Sequence, residues 1–169
     1  MRTRVAAAYV ALVLSALYGA MKLSWARGGD VLMRQTPLPP QARADLLAGT
    51  PGMVAGHWAS FGLALIGVTA ALYLAGRFTA RGAFQRRLLL VGSSTVGVLM
   101  VLRALAGGYA DVARLTRPGG SRLDRELSRW DLFLWSPAWL VFGVSLAVAT
   151  ALWWRAPRHP AVGPVSSAR

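Results

Sequence analysis

Five ionisable side chains fall within or beside segments that are otherwise strongly apolar: Lys22, His57, Arg103, Asp111 and Asp131. A charged group inside a bilayer is costly, so such residues are candidates for a binding site. Each also has a structural interpretation. Lys22 and Arg103 lie near segment ends, where a long side chain reaches the headgroups, and Asp111 or Asp131 would neutralise either one as an ion pair. A lone histidine also fits a hydrogen-bonded packing residue.

The second set of candidates is aromatic. Trp25, Trp58, Trp135 and Trp139, together with Ser136, are expected at the same membrane face as the ionisable residues. Tryptophans in this arrangement form a wall on which a lipid or a small amphiphile binds, but tryptophan is also the usual residue of the membrane-interface belt. These ten residues form one candidate binding site, here called the polar end, and both interpretations stay open.

Several kinds of catalytic and cofactor chemistry lack the residues they need. The chain has no cysteine, which excludes disulfides and thiolate metal sites. The second histidine, His159, falls in the tail at the opposite end, so a bis-histidine haem is not expected, and no cofactor or metal site is predicted. No Asp or Glu lies in the middle of an apolar segment, which argues against a carboxylate proton relay.

Four apolar segments of membrane-spanning length must position the candidates. Of the 169 residues, 55% are hydrophobic and only 15% are charged, whereas about a quarter are charged in soluble domains. Runs near residues 5–25, 53–76, 88–107 and 131–154 match the roughly 20 residues that cross a hydrocarbon core. We predict an all-α fold, a single four-helix transmembrane bundle within residues 1–155. A cleaved signal peptide is the alternative for the first run, although that run is longer than the apolar region of signal peptides.

Short helices are predicted in two of the connections. Residues 40–49 begin with proline and end with glycine, which is typical of a short surface helix. Ser121 and Asp124 fit a capping box, and apolar residues at helical spacing follow them. We therefore expect a short interfacial helix directly before the last span. The Pro- and Ser-rich residues 156–169 are expected to form a disordered cytoplasmic tail.

The charge distribution predicts how the chain sits in the membrane. The net charge is +13, but the arginines cluster in short segments between apolar runs, so a nucleic-acid partner is not expected. The N-terminal arm, the second connection and the tail together carry nine arginines and no acid, whereas the other connections carry eight arginines and all six acids. Dense positive charge favours the cytoplasmic side. We predict a multi-pass plasma-membrane protein with both termini in the cytoplasm.

Small residues at helical spacing predict which helix faces touch. Close approach of two backbones needs small side chains, because lipid gives apolar helices no hydrophobic reason to associate. Such stripes run along the first, second and fourth spans: Ala7, Ala11, Ser15 and Gly19; His57, Ser60, Ala64, Gly67 and Ala71; Gly143, Ala147 and Ala151. In the third span, Ser93 and Gly97 mark one candidate face and Gly92, below Arg103, marks another.

Three motifs at the span ends resemble a bacterial family of small four-span membrane proteins of unknown function. The first span ends in Trp25-Ala26-Arg27-Gly28-Gly29, the third ends in Arg103-Ala104, and the fourth opens with Asp131 followed by Trp135-Ser136-Pro137. Two positions depart from the family pattern: Met21-Lys22 replaces an expected histidine, and Trp135 replaces a tyrosine. The resemblance implies the four-span fold and no particular activity.

The resulting functional hypothesis is a non-enzymatic membrane protein. Its polar end would bind a lipid, a small amphiphile or a partner subunit. One alternative is a component of a small transporter or channel that works as a homo-oligomer, because four short spans enclose little volume. The other is a membrane enzyme that uses His57 with an aspartate.

Overall fold

The computed structural model describes residues 1–80, 82–119 and 121–156. This part of the chain is helical, with no strand. The helices are α1 (Arg2–Ala26), α2 (Pro40–Leu47), α3 (Pro51–Ala75), α4 (Ala83–Thr116), α5 (Arg122–Trp130) and α6 (Ser136–Arg155), and a π-helical turn (Asp131–Trp135) joins the last two. The predicted cytoplasmic tail falls, from residue 157 onward, outside the described residues.

Four helical stretches of the described chain are long and apolar enough to cross a membrane: Arg2–Ala26, Pro51–Ala75, Ala83–Thr116 and Arg122–Arg155. The all-α, four-span prediction is therefore confirmed. Helix α4 has 34 residues, about 51 Å at 1.5 Å per residue, against a hydrocarbon core of about 30 Å. It extends beyond the expected third span at both ends, so Asp111 lies on a helix rather than in a connecting loop.

The long helices are arranged in the order α3, α1, α6, α4. Helix α1 packs on α3 and on α6, α6 packs on α4, and the two outer helices α3 and α4 barely touch. At the α4–α6 contact, a Cβ atom added to Gly143 would lie 2.7 Å from the carbonyl oxygen of Gly97. Only glycine lets these two backbones come so close.

The predicted small-residue stripes form the α1–α3 contact as well. A Cβ atom on Gly19 would lie 3.0 Å from the Cβ of Ala64, and one on Gly67 would lie 2.8 Å from the Oγ of Ser15. The stripes of the first and second spans are thus confirmed as contact faces. On α4 the buried face is the one with Ser93 and Gly97.

The connection between α1 and α3 folds over the bundle at the end that carries Trp25. Met33 from this connection and Leu46 from α2 are buried against Met21 and Trp25, with Trp135 packed beside them. Helix α2 matches the surface helix predicted from residues 40–49. The connection therefore acts as a strap that covers the ends of α1 and α6.

The last span is a continuous helical stretch with one irregular turn. Ser121 caps α5 by accepting a hydrogen bond from the backbone N–H of Asp124 (3.0 Å), as the capping-box pattern predicted. The π turn then closes with the N–H of Ser136 bonded to the carbonyl of Asp131. Pro137 explains the irregularity, because it has no N–H to donate and its ring would clash with the carbonyl four residues earlier. The wider turn avoids the clash without breaking the helix.

Candidate functional site at the polar end

The structure divides the predicted polar-end residues into two groups. The first lies between α1 and α3 and contains Lys22, Trp25 and His57. The Trp25 indole is fully buried, and its ring meets the His57 ring edge-on with 5.1 Å between centroids. The Lys22 ammonium sits 4.3 Å from the Trp25 ring centroid and 5.2 Å from that of Tyr18. These distances are typical of cation–π contacts, so α1 presents a cation on an aromatic surface.

The second group lies between α4 and the start of the last span. An Arg103 Nη atom donates to both carboxylate oxygens of Asp131, at 3.0 and 3.2 Å. The Ser136 hydroxyl lies 3.4 Å from the same carboxylate. Asp131 is buried, whereas the Arg103 side chain is 42% exposed. The guanidinium therefore neutralises a buried carboxylate while part of the side chain remains accessible.

Asp111 completes the second group. Its side chain is only 2% exposed and receives a 3.0 Å hydrogen bond from Arg114, one turn along α4. The carboxyl groups of Asp111 and Asp131 are neighbours, and Ser128 of α5 lies beside them. Two buried acids and two arginines thus form an ion cluster that ties α4 to α5 and to the π turn.

The strap connects the two groups through tryptophan hydrogen bonds. The Trp25 indole N–H donates to the carbonyl of Val31 at 2.7 Å, and the Trp135 indole N–H donates to the carbonyl of Gln35 at 2.6 Å. Trp139 packs edge-on against Tyr18, with 5.1 Å between ring centroids. Three of the candidate tryptophans therefore hold α1, α6 and the strap together.

Trp58 is different from the other candidates. It is 46% exposed and packs against Phe61 on its own helix. Its partial exposure and short-range contact are what an interface-belt tryptophan shows. Nine of the ten predicted residues fall in the two groups or in the tryptophan contacts that connect them, and Trp58 does not.

Lys22 makes its ring contacts with Tyr18 and Trp25 on α1. The candidate contact face marked by Gly92 below Arg103 is wrong, since a Cβ there would meet nothing within 4 Å. Gly107 has that role: a Cβ on Gly107 would collide with the Arg103 guanidinium and lie 3.1 Å from an Asp131 carboxylate oxygen.

Several residues of the site carried weak signals in the sequence. Tyr18 lies one turn before Lys22 on α1, a spacing that indicates a shared face. Ser128 and Arg114 were readable as ordinary polar residues of a connection, and only the length of α4 and the position of α5 show that they adjoin Asp111. Gln35 contributes a backbone carbonyl, which its side-chain type does not reveal.

Three buried polar atoms at this end have no hydrogen-bond partner within the described part of the chain: Arg43 Nε on α2, His57 Nε2 and Asp111 Oδ2. Such atoms are uncommon and mark positions where a ligand or water would bind. Within the described residues, no three His, Cys, Asp or Glu side chains come together as a metal site would require. His57 contacts Trp25, so the pairing with an aspartate that a His57-dependent enzyme needs gains no support.

A family model described as "Protein of unknown function (DUF3995)" matches residues 12–146, well over half of the chain. The chain belongs to the DUF3995 family. No curated protein matches it. No solved structure matches it either.

The three motifs that suggested a family have clear structural roles in this DUF3995 protein. Gly28, with φ of 84°, adopts the left-handed conformation that ends α1, and the N–H of Gly29 bonds to the carbonyl of Ser24 at 2.8 Å. This turn directs the chain into the strap. The Arg-Ala and Asp…Trp-Ser-Pro motifs supply the ion pair, the strap contact and the π turn. These three motifs therefore assemble the polar end of this chain.

Proposed function

We propose that this protein is a non-enzymatic integral membrane protein whose polar end binds the head of an anionic amphiphile, such as an acidic lipid. The observation that supports the proposal is the environment of Lys22. Its ammonium is partly buried against two aromatic rings, and neither of the described salt bridges includes it. An ammonium without an acidic partner near the membrane interface favours an anionic group from outside the chain.

The neighbouring groups suit the same ligand. Tyr18 and Trp139 form an aromatic surface beside Lys22, and an acyl chain packs readily on such a surface. The unpartnered His57 Nε2 supplies a buried polar atom in the same α1–α3 group. Arg103 is a weaker candidate, since Asp131 already neutralises it. The ligand would lie along the lipid-facing surface of α1.

The proposal includes the orientation of the molecule. With both termini in the cytoplasm, as the arginine distribution favours, the polar end faces the outside of the plasma membrane. The amphiphile would then be a lipid or related molecule of the outer leaflet.

The test is native mass spectrometry of the protein purified in mild detergent from its own membranes. The wild type is expected to carry a discrete anionic adduct, and Lys22→Gln is expected to lose it. Arg27→Gln is the matched control, because it removes the same charge from an exposed position just after α1. Equal occupancy in Lys22→Gln and wild type, or no adduct in any of them, would refute the proposal.

A further inference from the structure

The end of the bundle opposite the polar end contains a cleft of about 230 Å³. It lies where α1 begins, α3 ends, α4 begins and α6 ends. The residues that line it are Arg4, Tyr73, Gly76, Phe78, Thr79, Ala80, Arg86, Trp153 and Ala156. The volume is smaller than the roughly 300–1,000 Å³ of pockets that enclose a whole drug-sized ligand. It fits a headgroup-sized fragment.

Arg4 lines this cleft, and one N–H group of its guanidinium has no partner among the described residues. Its Nε atom is buried and makes no hydrogen bond. The guanidinium lies beside the end of α3, where a Cβ on Gly76 would be 3.3 Å from an Arg4 Nη atom. Leaving a guanidinium N–H buried and unpaired costs free energy. An acceptor bound in the cleft would remove this cost.

Arg86 supplies a second cation from α4. Its guanidinium carbon lies 5.2 Å from the centroid of the Trp153 ring. This contact leaves its N–H groups available for an anion, because stacking uses the flat face of the guanidinium. Arg77, by contrast, donates its Nε proton to the Tyr9 hydroxyl at 2.9 Å.

Among the described residues, neither salt bridge includes Arg4 or Arg86. The six acidic residues of the chain are Asp30, Asp45, Asp111, Asp124, Glu126 and Asp131. Asp30 and Asp45 lie in the connection between α1 and α3. Asp111 lies in the polar-end half of α4, and the other three lie in α5 and the π turn. Helix α4 also begins in this region without a side-chain cap on its first N–H groups, which adds a positive partial charge.

We propose that the cleft between Arg4 and Arg86 is a binding site for a phosphate group. Two guanidinium forks and a positive helix end recognise a phosphate through charge-assisted hydrogen bonds. The phosphate belongs either to a lipid headgroup or to a soluble phosphate, and both present the same oxygens. The adjoining cleft of about 380 Å³, which shares Tyr73, Phe78 and Thr79, leaves space for the rest of a headgroup. Basic pockets at helix ends on the cytoplasmic face bind anionic lipids in this way.

The test uses the full-length protein in detergent, stripped of lipid and titrated with phosphatidylglycerol under native mass spectrometry. Each charge-assisted contact is worth roughly tenfold in affinity or more, so Arg4→Gln/Arg86→Gln should bind at least about tenfold more weakly than wild type. Arg87→Gln is the matched control: it removes one charge from the next residue of α4, which is exposed and outside the cleft. It should bind as wild type does.

Two further arms identify the source of the phosphate. Preference for phosphatidylglycerol over phosphatidylcholine, with no competition by excess inorganic phosphate, supports a lipid headgroup. Competition by inorganic phosphate that depends on both arginines supports a soluble phosphate. If the double variant does not fold, Arg86→Gln alone is compared with Arg87→Gln. Equal binding by the cleft variants and the control would overturn the proposal. Lys22→Gln should retain this binding, which separates the result from the test of the polar end.

Discussion

The Arg103–Asp131 ion pair gives the sharpest stability prediction, because its two members have very different exposure. The Asp131 side chain is 4% exposed and that of Arg103 is 42% exposed. Removing the arginine leaves a buried carboxylate that neighbours Asp111, and a buried charge without its partner costs about 3 kcal/mol or more. Removing the aspartate leaves an arginine that can extend to the headgroups, so its cost should be about 1 kcal/mol.

We therefore expect Arg103→Ala to destabilise the protein more than Asp131→Ala does. The double variant should cost about 2 kcal/mol instead of the summed loss of about 4 kcal/mol, a coupling free energy of about 2 kcal/mol. The measurement is the free energy of unfolding in detergent micelles, followed by helical circular dichroism during titration with a denaturing detergent. Arg125→Ala is the control, since Arg125 is exposed on α5 and belongs to neither of the described salt bridges, so its loss should change the free energy of unfolding by about 0.5 kcal/mol or less.

Two results would refute this reasoning. If the single effects simply add in the double variant, Arg103 and Asp131 do not act as a pair. If Asp131→Ala is as costly as Arg103→Ala, the buried carboxylate is not the group that needs neutralising.

Two other predictions concern packing and orientation. Gly97→Leu should lower the free energy of unfolding by about 1–3 kcal/mol, because the added side chain meets the backbone of Gly143. Gly92→Leu, on the open face of the same helix, should be tolerated. Equal effects would mean that the α4–α6 contact is absent. A cysteine at Thr116 should react with a membrane-impermeant thiol reagent in intact cells, and one at Thr3 should not. The native chain adds no background because it has no cysteine. The opposite labelling pattern would place the polar end in the cytoplasm.

Much of this fold can be predicted from the sequence because the membrane imposes simple rules. Length and hydropathy identify the four spans, and glycine spacing identifies the faces that touch, as the contacts of Gly19 with Ala64 and of Gly97 with Gly143 show. The Ser121 cap was likewise visible in the local pattern. These features depend on residues close together in the chain or on composition alone.

The extent of α4 could not be predicted in the same way. Gly107 and Gly108 usually indicate a helix end, yet the helix continues through them to Thr116. Both glycines pack against the last span: a Cβ on Gly107 would lie 3.1 Å from an Asp131 carboxylate oxygen, and one on Gly108 would lie 3.8 Å from the Leu132 side chain. These tertiary contacts retain the helix. Gly107 also gives the Arg103 guanidinium room to reach Asp131. Glycine, which often ends helices in soluble proteins, therefore provides room for a neighbouring side chain in α4.

The strap was also outside the reach of sequence reasoning. Its contacts are made by the backbone carbonyls of Val31 and Gln35. Every residue has such a carbonyl, whatever its side chain, so the residue type carries no signal. The partner of Trp135 lies 100 positions earlier in the chain. Such a contact depends on the tertiary arrangement of α1 and α6, and no local spacing encodes it. The positions of α3 and α4 at the two ends of the row of helices depend on tertiary contacts in the same way.

The π turn changes the directions in which the side chains of the last span point around the helix axis. At about 100° per residue in an α-helix, Asp131 and Ser136 would point about 140° apart. A turn that closes between residues five apart brings both side chains toward the same side, where they meet at 3.4 Å. The turn acts as a one-residue insertion into an otherwise regular screw. Deleting one residue between Asp131 and Ser136 would leave a regular α-helix in which the two residues are four positions and about 40° apart. The acid and the residues of α6 would then both keep their present faces.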